Sequence, residues 1–317
     1  MMQVLKRWGL GAISLLLTVS LSFACSSTAD ESSVTSNTTD TRPVEHAMGV
    51  TDVPAVPSQV VVLDTAPLDA AIAMDVIPIG AWIDETFPAY LGDRTDGMVT
   101  LGSAGQPNLE KIAQLQPDLI LGSKVGGEAV YSQLSQIAPT ILTEGNGREG
   151  NWPEQLKVYG DALGKRDRVN QLLAKYQQQL ETVRQQIGTP EDTVVSVVFS
   201  YQNHFGFYSH TSFAGSILKD VGFARPTIQT QPISATYLSV VSKEAFQDLD
   251  GDVIFLLVND GEDTLTYEEF AQDPLFSQLS AVKNGQVYPV LTEVWTAGRN
   301  ILAAQQVLQN ITDALAN

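Results

Sequence analysis

The stretch PNLEKIAQLQPDLILG, from Pro107 to Gly122, contains one complete helix–strand unit. Asn108 is a favourable N-cap, and the apolar residues after it recur every three to four positions, as on one face of a helix. Pro117 ends the helix, and residues 118–121 then predict a short buried strand. Glu110 falls in the first helical turn, where a carboxylate stabilises the helix dipole by about 0.3–1 kcal/mol and can also face a partner.

The same unit returns in the second half of the chain, as SKEAFQDLDGDVIFLL at 242–257. Glu244 takes the place of Glu110, at an offset of 244 − 110 = 134 residues, and Asp252 takes the place of Asp118 at the same offset. Further strand and helix patterns alternate through both halves of the chain. Because strands that alternate with helices form parallel sheets covered on both faces, the sequence predicts two similar α/β lobes.

One long amphipathic helix is predicted between the two halves. Apolar residues recur every three to four positions from Val169 to Ile187, and the Gly-Thr-Pro sequence at 188–190 then ends the helix. We therefore expect two similar parallel-sheet lobes joined by one long α-helix, with the ligand cleft between them. The predicted boundaries are 53–165 for the N-terminal lobe, 166–189 for the connecting helix and 190–317 for the C-terminal lobe. Since a single helix is a stiff joint, we expect only small lobe motions.

The N-terminus has the features of a targeting segment. Residues 1–24 combine a cationic start with an apolar run that is too short to span a bilayer, which takes about 20 residues. The run ends in LSFAC at Cys25, the only cysteine of the chain, and this ending resembles a bacterial lipoprotein signal. We expect lipidation of Cys25 to anchor the protein to the membrane, facing the periplasm or the cell exterior. Residues 25–52 are polar and predict a flexible tether.

Charge and composition exclude several classes of protein. The formal net charge is -18, which argues against binding to the phosphates of nucleic acids. The sequence contains no G-x-S-x-G, H-E-x-x-H, P-loop or dinucleotide-binding motif, so we predict no catalytic residues and no enzyme activity. With three histidines in the chain, we also predict no metal site held directly by side chains and no cofactor. We expect a monomer.

Six segments, in order, resemble the iron–siderophore and cobalamin substrate-binding proteins of ABC importers. They are QPNLEKIAQLQPDLILG, YSQLSQIAPTIL, FAGSILKDVGFARP, VSKEAFQDLDGDVIF, LSAVKNGQVYPV and VWTAGRNILAAQQVL. The likeness runs from about Pro57 to the C-terminus. It implies rigid lobes with the ligand in the cleft between them, and a glutamate from each lobe that docks onto arginines of the permease. By position in the motif, those glutamates are Glu110 and Glu244.

Ligand contacts are expected beyond the carboxyl ends of the strands, where open parallel sheets place their ligands. Three of the four tryptophans fall in such loops, and aromatic walls suit a bulky ligand that is partly apolar. The predicted ligand-binding residues are Trp82, Lys124, Trp152, Tyr201, Tyr237, Asn259, Trp295 and Arg299. We expect Lys124 and Arg299 to offset the charge of an Fe(III)–siderophore complex, which is the ligand that the resemblance favours.

Other ligands remain open at the level of the sequence. Two arginines that the resemblance leads us to expect are absent, since the first place reads SKVGGEAVY and the second holds Phe199. Cobalamin is an alternative because WTAGRNILAAQQVL is also very similar to the corresponding end of cobalamin binders. Haem is another, with candidate ligands Tyr201, His204, Tyr208 and His210. A ligand-sensing or scaffold lipoprotein with the same fold, without a transporter partner, is a further alternative.

Overall fold

A computed structural model describes residues 40–83, 86–102, 107–201, 204–233, 238–259 and 266–316. The predicted signal peptide, Cys25, the tether up to residue 39 and Tyr237 lie outside these residues. The backbones of Tyr201, His204, Lys243 and Glu244 are described, but their side chains are not.

The described chain begins with a β-hairpin, where the sequence had predicted a flexible tether as far as residue 52. Strands β1 (Thr41–His46) and β2 (Gly49–Pro54) pair antiparallel. Val44 is 4% exposed and Val53 is fully buried in the core, so the hairpin is part of the fold. The tether prediction was wrong over this segment. Its composition is mostly polar, but Val44 and Val53 become buried once a neighbouring surface covers them.

The N-terminal lobe is built on a parallel sheet. Its strands are β3 (Val60–Val62), β4 (Gly80–Ala81), β5 (Val99–Thr100), β6 (Leu119–Ser123) and β7 (Thr140–Thr143). They lie in the order β5-β4-β3-β6-β7. Its helices are α1 (Thr65–Ala73), α2 (Leu109–Gln114), α3 (Lys124–Gly127), α4 (Tyr131–Ile137) and α5 (Trp152–Leu163).

The hairpin is fixed to this lobe at both of its ends. Arg42 donates to the carbonyl groups of Asp161 and Ala162 in the last turn of α5, the latter at 2.8 Å, where carbonyl groups run out of partners within the helix. At the hairpin turn, the Ala47 N–H donates to the Leu142 carbonyl at 2.9 Å, and His46 Nδ1 accepts the Leu142 N–H at 3.1 Å. Burial lowers the pKa of His46, which agrees with a neutral ring in this role. Because β7 is the last strand of its sheet, the hairpin covers an exposed edge.

Helix α6 (Arg166–Ile187) connects the N-terminal lobe to the C-terminal lobe, and it lies within the range predicted for it. The strands that follow are β8 (Val195–Tyr201), β9 (His204–Tyr208), β10 (Leu238–Val241), β11 (Val253–Val258) and β12 (Val287–Leu291). The helices are α7 (Phe213–Val221), α8 (Thr227–Thr230), α9 (Tyr267–Gln272), α10 (Ser280–Lys283) and α11 (Ile301–Leu315). The sheet order is β10-β9-β8-β11-β12.

The predicted α/β architecture with a long connecting helix is confirmed, with one correction in the second sheet. Strands β8, β11 and β12 are parallel, but β9 runs antiparallel to both of its neighbours. Only two residues separate the end of β8 from the start of β9, a spacing typical of antiparallel neighbours.

The repeated aspartate has the same role in both lobes. The carboxylate of Asp118 accepts the backbone N–H groups of Ser58 and Gln59, just before β3, at 2.8 and 3.0 Å. The carboxylate of Asp252 accepts the N–H of Val194, just before β8, at 2.8 Å. Each aspartate therefore fixes the start of its own strand against the start of the next strand in the sheet.

A buried carboxylate joins the two halves of the chain. Asp69, on α1, is fully buried and accepts the N–H groups of Leu302 and Ala303 in the first turn of α11, both at 2.9 Å. The Tyr90 hydroxyl donates to the same carboxylate at 2.9 Å. Burial raises the pKa of Asp69 to about 7, and the three donated hydrogen bonds oppose that rise. Asn300 caps α11 locally by accepting the Ile301 N–H at 2.9 Å, and Asp69, more than two hundred positions earlier, accepts the next two N–H groups of the helix.

Asp69→Asn should lower the free energy of unfolding by about 1–3 kcal/mol, because an amide N–H would face groups that are themselves donors. The measurement is urea unfolding at pH 8, where Asp69 is mostly ionised if its pKa is about 7. Asp75→Asn is the matched control, since Asp75 follows the same helix, is exposed and adopts φ 61, a conformation that asparagine tolerates. Equal stability of the two variants would contradict a structural role for the Asp69 carboxylate.

Candidate ligand-binding cleft

A cleft of about 720 Å³ lies between the two lobes, where loops from both sheets meet. This volume is within the range of small-molecule sites. The loops that follow β3, β4, β6 and β7 contribute Asp64, Trp82, Val125, Asn146 and Arg148. The loops that follow β11 and β12 contribute Asn259, Glu293 and Arg299. The cleft therefore lies at the carboxyl ends of the strands, as the sequence predicts.

An ion pair crosses from one wall of the cleft to the other. Nη2 of Arg299 lies 2.5 Å from Oδ1 of Asp64, and the same nitrogen donates to Oγ1 of Thr65 at 2.5 Å. The Nε–H of Arg299 donates to the Ala297 carbonyl at 2.9 Å. Asp64 also caps α1 by accepting the Thr65 N–H at 2.7 Å. Arg299 is thus held by groups from both lobes.

Arg299 retains one hydrogen-bonding group for another partner. The residue is 3% exposed, and its Nη1 is buried without a hydrogen-bond partner among the described residues. Buried donors are nearly always paired with protein, water or ligand, so Nη1 is a candidate ligand contact. The backbone of Arg299 has φ 58, a left-handed conformation that is uncommon for residues other than glycine. The hydrogen bonds of Arg299 to Asp64, Thr65 and Ala297 therefore hold the guanidinium in place, although the backbone conformation is an unfavourable one for arginine.

Trp82 and Val125 belong to the apolar part of the cleft, together with Leu63, Ile83 and Pro88. Val125 is 68% exposed, so its side chain is accessible for apolar contact. The indole of Trp82 lies directly against Gly126, where an added Cβ would come within 2.9 Å of its Cζ3. The absence of a side chain at Gly126 therefore makes room for the tryptophan ring.

Two of the predicted tryptophans are core residues and do not line the 720 Å³ cleft, so these predictions were wrong. Trp152 is 1% exposed and packs edge-on against Tyr176, with ring centroids 5.0 Å apart. Trp295 is fully buried, lies 4.5 Å from Phe255 by ring centroids, and donates its Nε1–H to Asn310 at 3.0 Å. Trp152 is the first residue of α5, and Trp295 lies in the middle of the helical segment Glu293–Ala297 that follows β12, so both rings are turned onto the helix layer.

Lys124 is next to the cleft but does not line it. Its ammonium lies 3.6 Å from Glu128 and 3.3 Å from Glu144, and these carboxylates raise the pKa of Lys124. The prediction that Lys124 offsets the charge of the ligand is therefore weakened, because Glu128 and Glu144 already balance the charge of its ammonium group. Asn259 and Arg299 do line the cleft, and their contacts with a ligand stay predictions. Tyr237 and the side chain of Tyr201 lie outside what the structure describes.

Several cleft residues were not among the predicted contacts. Asp64, Asn146 and Val125 all directly follow strands or the short turns after them, so strand ends were the signal that could have identified them. Arg148 also lines the cleft. Of the candidate haem ligands with described side chains, Tyr208 and His210 do not line it.

The glutamate of the helix–strand unit lies on the surface in the N-terminal lobe. Glu110 is exposed in the first turn of α2, after the N-cap Asn108, whose side chain accepts the Lys111 N–H at 2.9 Å. The backbone of Glu244 lies in the first turn of a 3-10 helix over Lys243–Leu249. The two elements precede β6 and β11, each of which is the fourth strand in the order of its five-stranded sheet.

The described residues contain neither a candidate metal site nor a candidate membrane span. Within residues 40–316, apart from the short gaps, no group of three His, Cys, Asp or Glu side chains could hold a metal ion. No helix in this described part is long and apolar enough to cross a membrane.

Comparison with known proteins identifies the family. The family described as periplasmic binding protein matches residues 60–290, which contain both sheets apart from the N-terminal hairpin. The chain belongs to the periplasmic binding protein family.

Relatives within this family have names that refer to iron chelates. The chain is 34% identical to the probable siderophore-binding lipoprotein YfiY of Bacillus subtilis, over 93% of this chain and 94% of that protein. It is 28% identical to the Fe(3+)-citrate-binding protein YfmC of the same organism, over 96% and 95%. Among solved structures, SirA of Staphylococcus aureus complexed with staphyloferrin B matches with a TM-score of 0.75 and 29% identity, covering 86% of this chain and 98% of that one. These names describe binding proteins, and they confirm the family resemblance read from the sequence.

Gly147→Ala should disturb the cleft more than a glycine change that meets only open space. Gly147 has φ 85, and an added Cβ would lie 2.6 Å from the Arg299 carbonyl oxygen. Gly97→Ala is the matched control, because Gly97 has φ 76 and nothing within 4 Å of the added Cβ. Both variants incur about 1–2 kcal/mol for a left-handed alanine. We expect Gly147→Ala to lose about 1–3 kcal/mol more from overpacking against Arg299, measured by urea unfolding. Equal losses of unfolding free energy in the two variants would show that the loop around Gly147 moves away from Arg299 without an energetic cost.

Proposed function

We propose that this protein is an extracytoplasmic carrier that binds a ferric siderophore non-covalently and delivers it to the permease of an ABC importer. The observation that carries the proposal is the cleft between the lobes, with the buried Arg299 guanidinium on one side and Trp82 on the other. YfiY is named a siderophore-binding lipoprotein, and SirA was solved with staphyloferrin B. Family membership and cleft chemistry thus favour the same class of ligand.

The proposal includes a lipid anchor on Cys25. The names of YfiY and YhfQ, both from Bacillus subtilis, describe lipoproteins, which supports lipidation of the single cysteine. Two or three acyl chains hold a protein stably at a membrane, whereas one does not. The polar residues between Cys25 and the hairpin then act as the tether.

The side chains of the cleft suit the outer surface of a ferric siderophore. Such a chelator encloses the metal with oxygen donors and presents carbonyl or carboxylate oxygens together with apolar edges. Arg148 and Nη1 of Arg299 can donate to the oxygens, and Asn259 offers both a donor and an acceptor. Trp82 and Val125 can pack against the apolar edges.

Binding should be tested on the chain without its predicted signal peptide and with Cys25→Ser. We expect sub-micromolar binding of at least one ferric siderophore, with much weaker binding of the iron-free chelator, by tryptophan fluorescence and calorimetry. Arg148→Gln should weaken binding about tenfold, or ~1.4 kcal/mol, because a donor at the cleft is lost. Arg166→Gln is the matched control, since Arg166 is 76% exposed at the start of α6.

Tight binding of cobalamin or haemin with no response to any ferric siderophore would overturn the proposed ligand. No binding of any of these compounds would instead favour a sensing or scaffold lipoprotein.

We propose further that Glu110 and Glu244 dock the carrier onto the permease. Replacing both with alanine should reduce binding to the cognate permease in proteoliposomes at least tenfold. Glu110→Ala alone should leave ligand affinity unchanged, because Glu110 does not line the cleft. The wild-type interaction should also weaken with added salt, as exposed charge pairs do. The control pair is Glu181→Ala with Glu268→Ala, two acidic residues on other helices. Equal permease binding by the docking variant and the control variant would contradict this role.

A further inference from the structure

The formal charges of the described cleft residues cancel. Arg148 and Arg299 are the cationic residues that line the cleft in the described part of the chain, and Asp64 and Glu293 are the acidic ones. Their sum is 2 − 2 = 0. A site built to hold a highly charged anion would present an excess of cations, because each uncompensated carboxylate at short range repels the ligand.

The lysine next to the cleft does not change this balance in favour of anions. Lys124 lies within 3.6 Å of Glu128 and 3.3 Å of Glu144, so this cluster has one positive charge and two negative charges. The whole chain has a formal net charge of -18, so its long-range field also repels anions. Neither the Lys124 cluster nor the overall charge of the chain therefore adds net positive charge for an anionic ligand.

Two residues that line the cleft, Arg299 and Glu293, each have a buried polar atom without a hydrogen-bond partner among the described residues. Nη1 of Arg299 is a buried donor without a partner among the described residues, and Oε1 of Glu293 is a buried acceptor in the same condition. The other oxygen of Glu293 accepts the Ala89 N–H at 3.2 Å, which fixes the carboxylate at the wall. The other terminal nitrogen of the Arg299 guanidinium, Nη2, already donates to Asp64. A matching ligand therefore needs an oxygen acceptor for Arg299 and an N–H or O–H donor for Glu293.

We propose that the cleft selects ferric siderophores of net charge close to zero that have a peripheral hydrogen-bond donor, and that it discriminates against trianionic complexes. Asp64 and Glu293 are the specificity residues: Asp64 neutralises Arg299, and Glu293 repels anionic groups while accepting a bond from a donor. This inference rests on the proposed function, since it concerns the ligand of the same cleft. The selectivity arises from repulsive as well as attractive groups.

The test compares ferric complexes of different charge on the protein with Cys25→Ser and without its predicted signal peptide. The probes are cationic ferrioxamine B, neutral ferrichrome, the monoanionic ferric complex of a citrate-based dihydroxamate, and trianionic ferric enterobactin. We expect the tightest of the first three to bind at least tenfold more tightly than ferric enterobactin. The selectivity ratio is the affinity for the tightest of those three complexes divided by the affinity for ferric enterobactin. Asp64→Asn with Glu293→Gln should reduce that ratio at least tenfold, because both substitutions remove charge and keep an oxygen acceptor.

The controls separate loss of selectivity from loss of folding. Glu181→Gln with Glu268→Gln removes two charges from helices outside the cleft and should leave the ratio unchanged. Glu293→Gln alone leaves the Asp64–Arg299 pair intact, so it provides a folded variant that should reduce the ratio at least threefold. Thermal unfolding of each variant verifies that it is folded at the assay temperature.

The two proposals fail in different ways. A wild-type protein that binds ferric enterobactin as tightly as the other complexes, or a double variant with an unchanged ratio, would overturn the charge selectivity while leaving the siderophore carrier in place. A wild-type protein that binds none of the four ferric complexes would overturn both proposals.

Discussion

The buried carboxylate of Asp69 determines where the last helix of the chain can begin. Three donors satisfy it, two from the first turn of α11 and one from Tyr90, and a buried carboxylate without such partners would be strongly destabilising. Because the position of α11 is fixed by this contact, the residues just before it are fixed as well. Arg299 is one of them, and its left-handed backbone brings the guanidinium to Asp64, five positions before Asp69. The cleft therefore depends on a contact outside it.

The Asp64–Arg299 pair combines a structural role with a proposed ligand-binding role. Ion pairs with little solvent exposure are seldom strong contributors to stability, since desolvation offsets much of their attraction. This pair does fix the relative positions of two loops from opposite lobes, and it leaves one guanidinium nitrogen for a ligand. A cation held by its own carboxylate binds an anionic ligand less strongly than a free cation would. Rigid geometry and moderate charge thus come from the same interaction.

The two lobes share a repeated unit but use it with different neighbours. Asp118 and Asp252 fix adjacent strand starts in the same way, and β6 and β11 have equivalent positions in their sheets. The second sheet replaces part of the parallel pattern with the antiparallel strand β9. The unit ahead of β11 is also a 3-10 helix, whereas the one ahead of β6 is an α-helix. The framework that positions the cleft is therefore common to both lobes, while the edges of the sheets differ.

The sequence by itself determined the two lobes, the connecting helix and the strand ends that surround the cleft, because these follow from local apolar periodicity and from helix-ending residues. It also identified Trp82, Asn259 and Arg299 as cleft residues. Only the tertiary structure separated the cleft tryptophan from the core tryptophans Trp152 and Trp295, since a ring that follows a strand can turn either way. The hairpin before β3 and the Asp64–Arg299 pair likewise depend on partners far away in the chain, in the latter case 235 positions apart. Local patterns cannot specify such pairs, because they form only once the packed lobes bring the partners together.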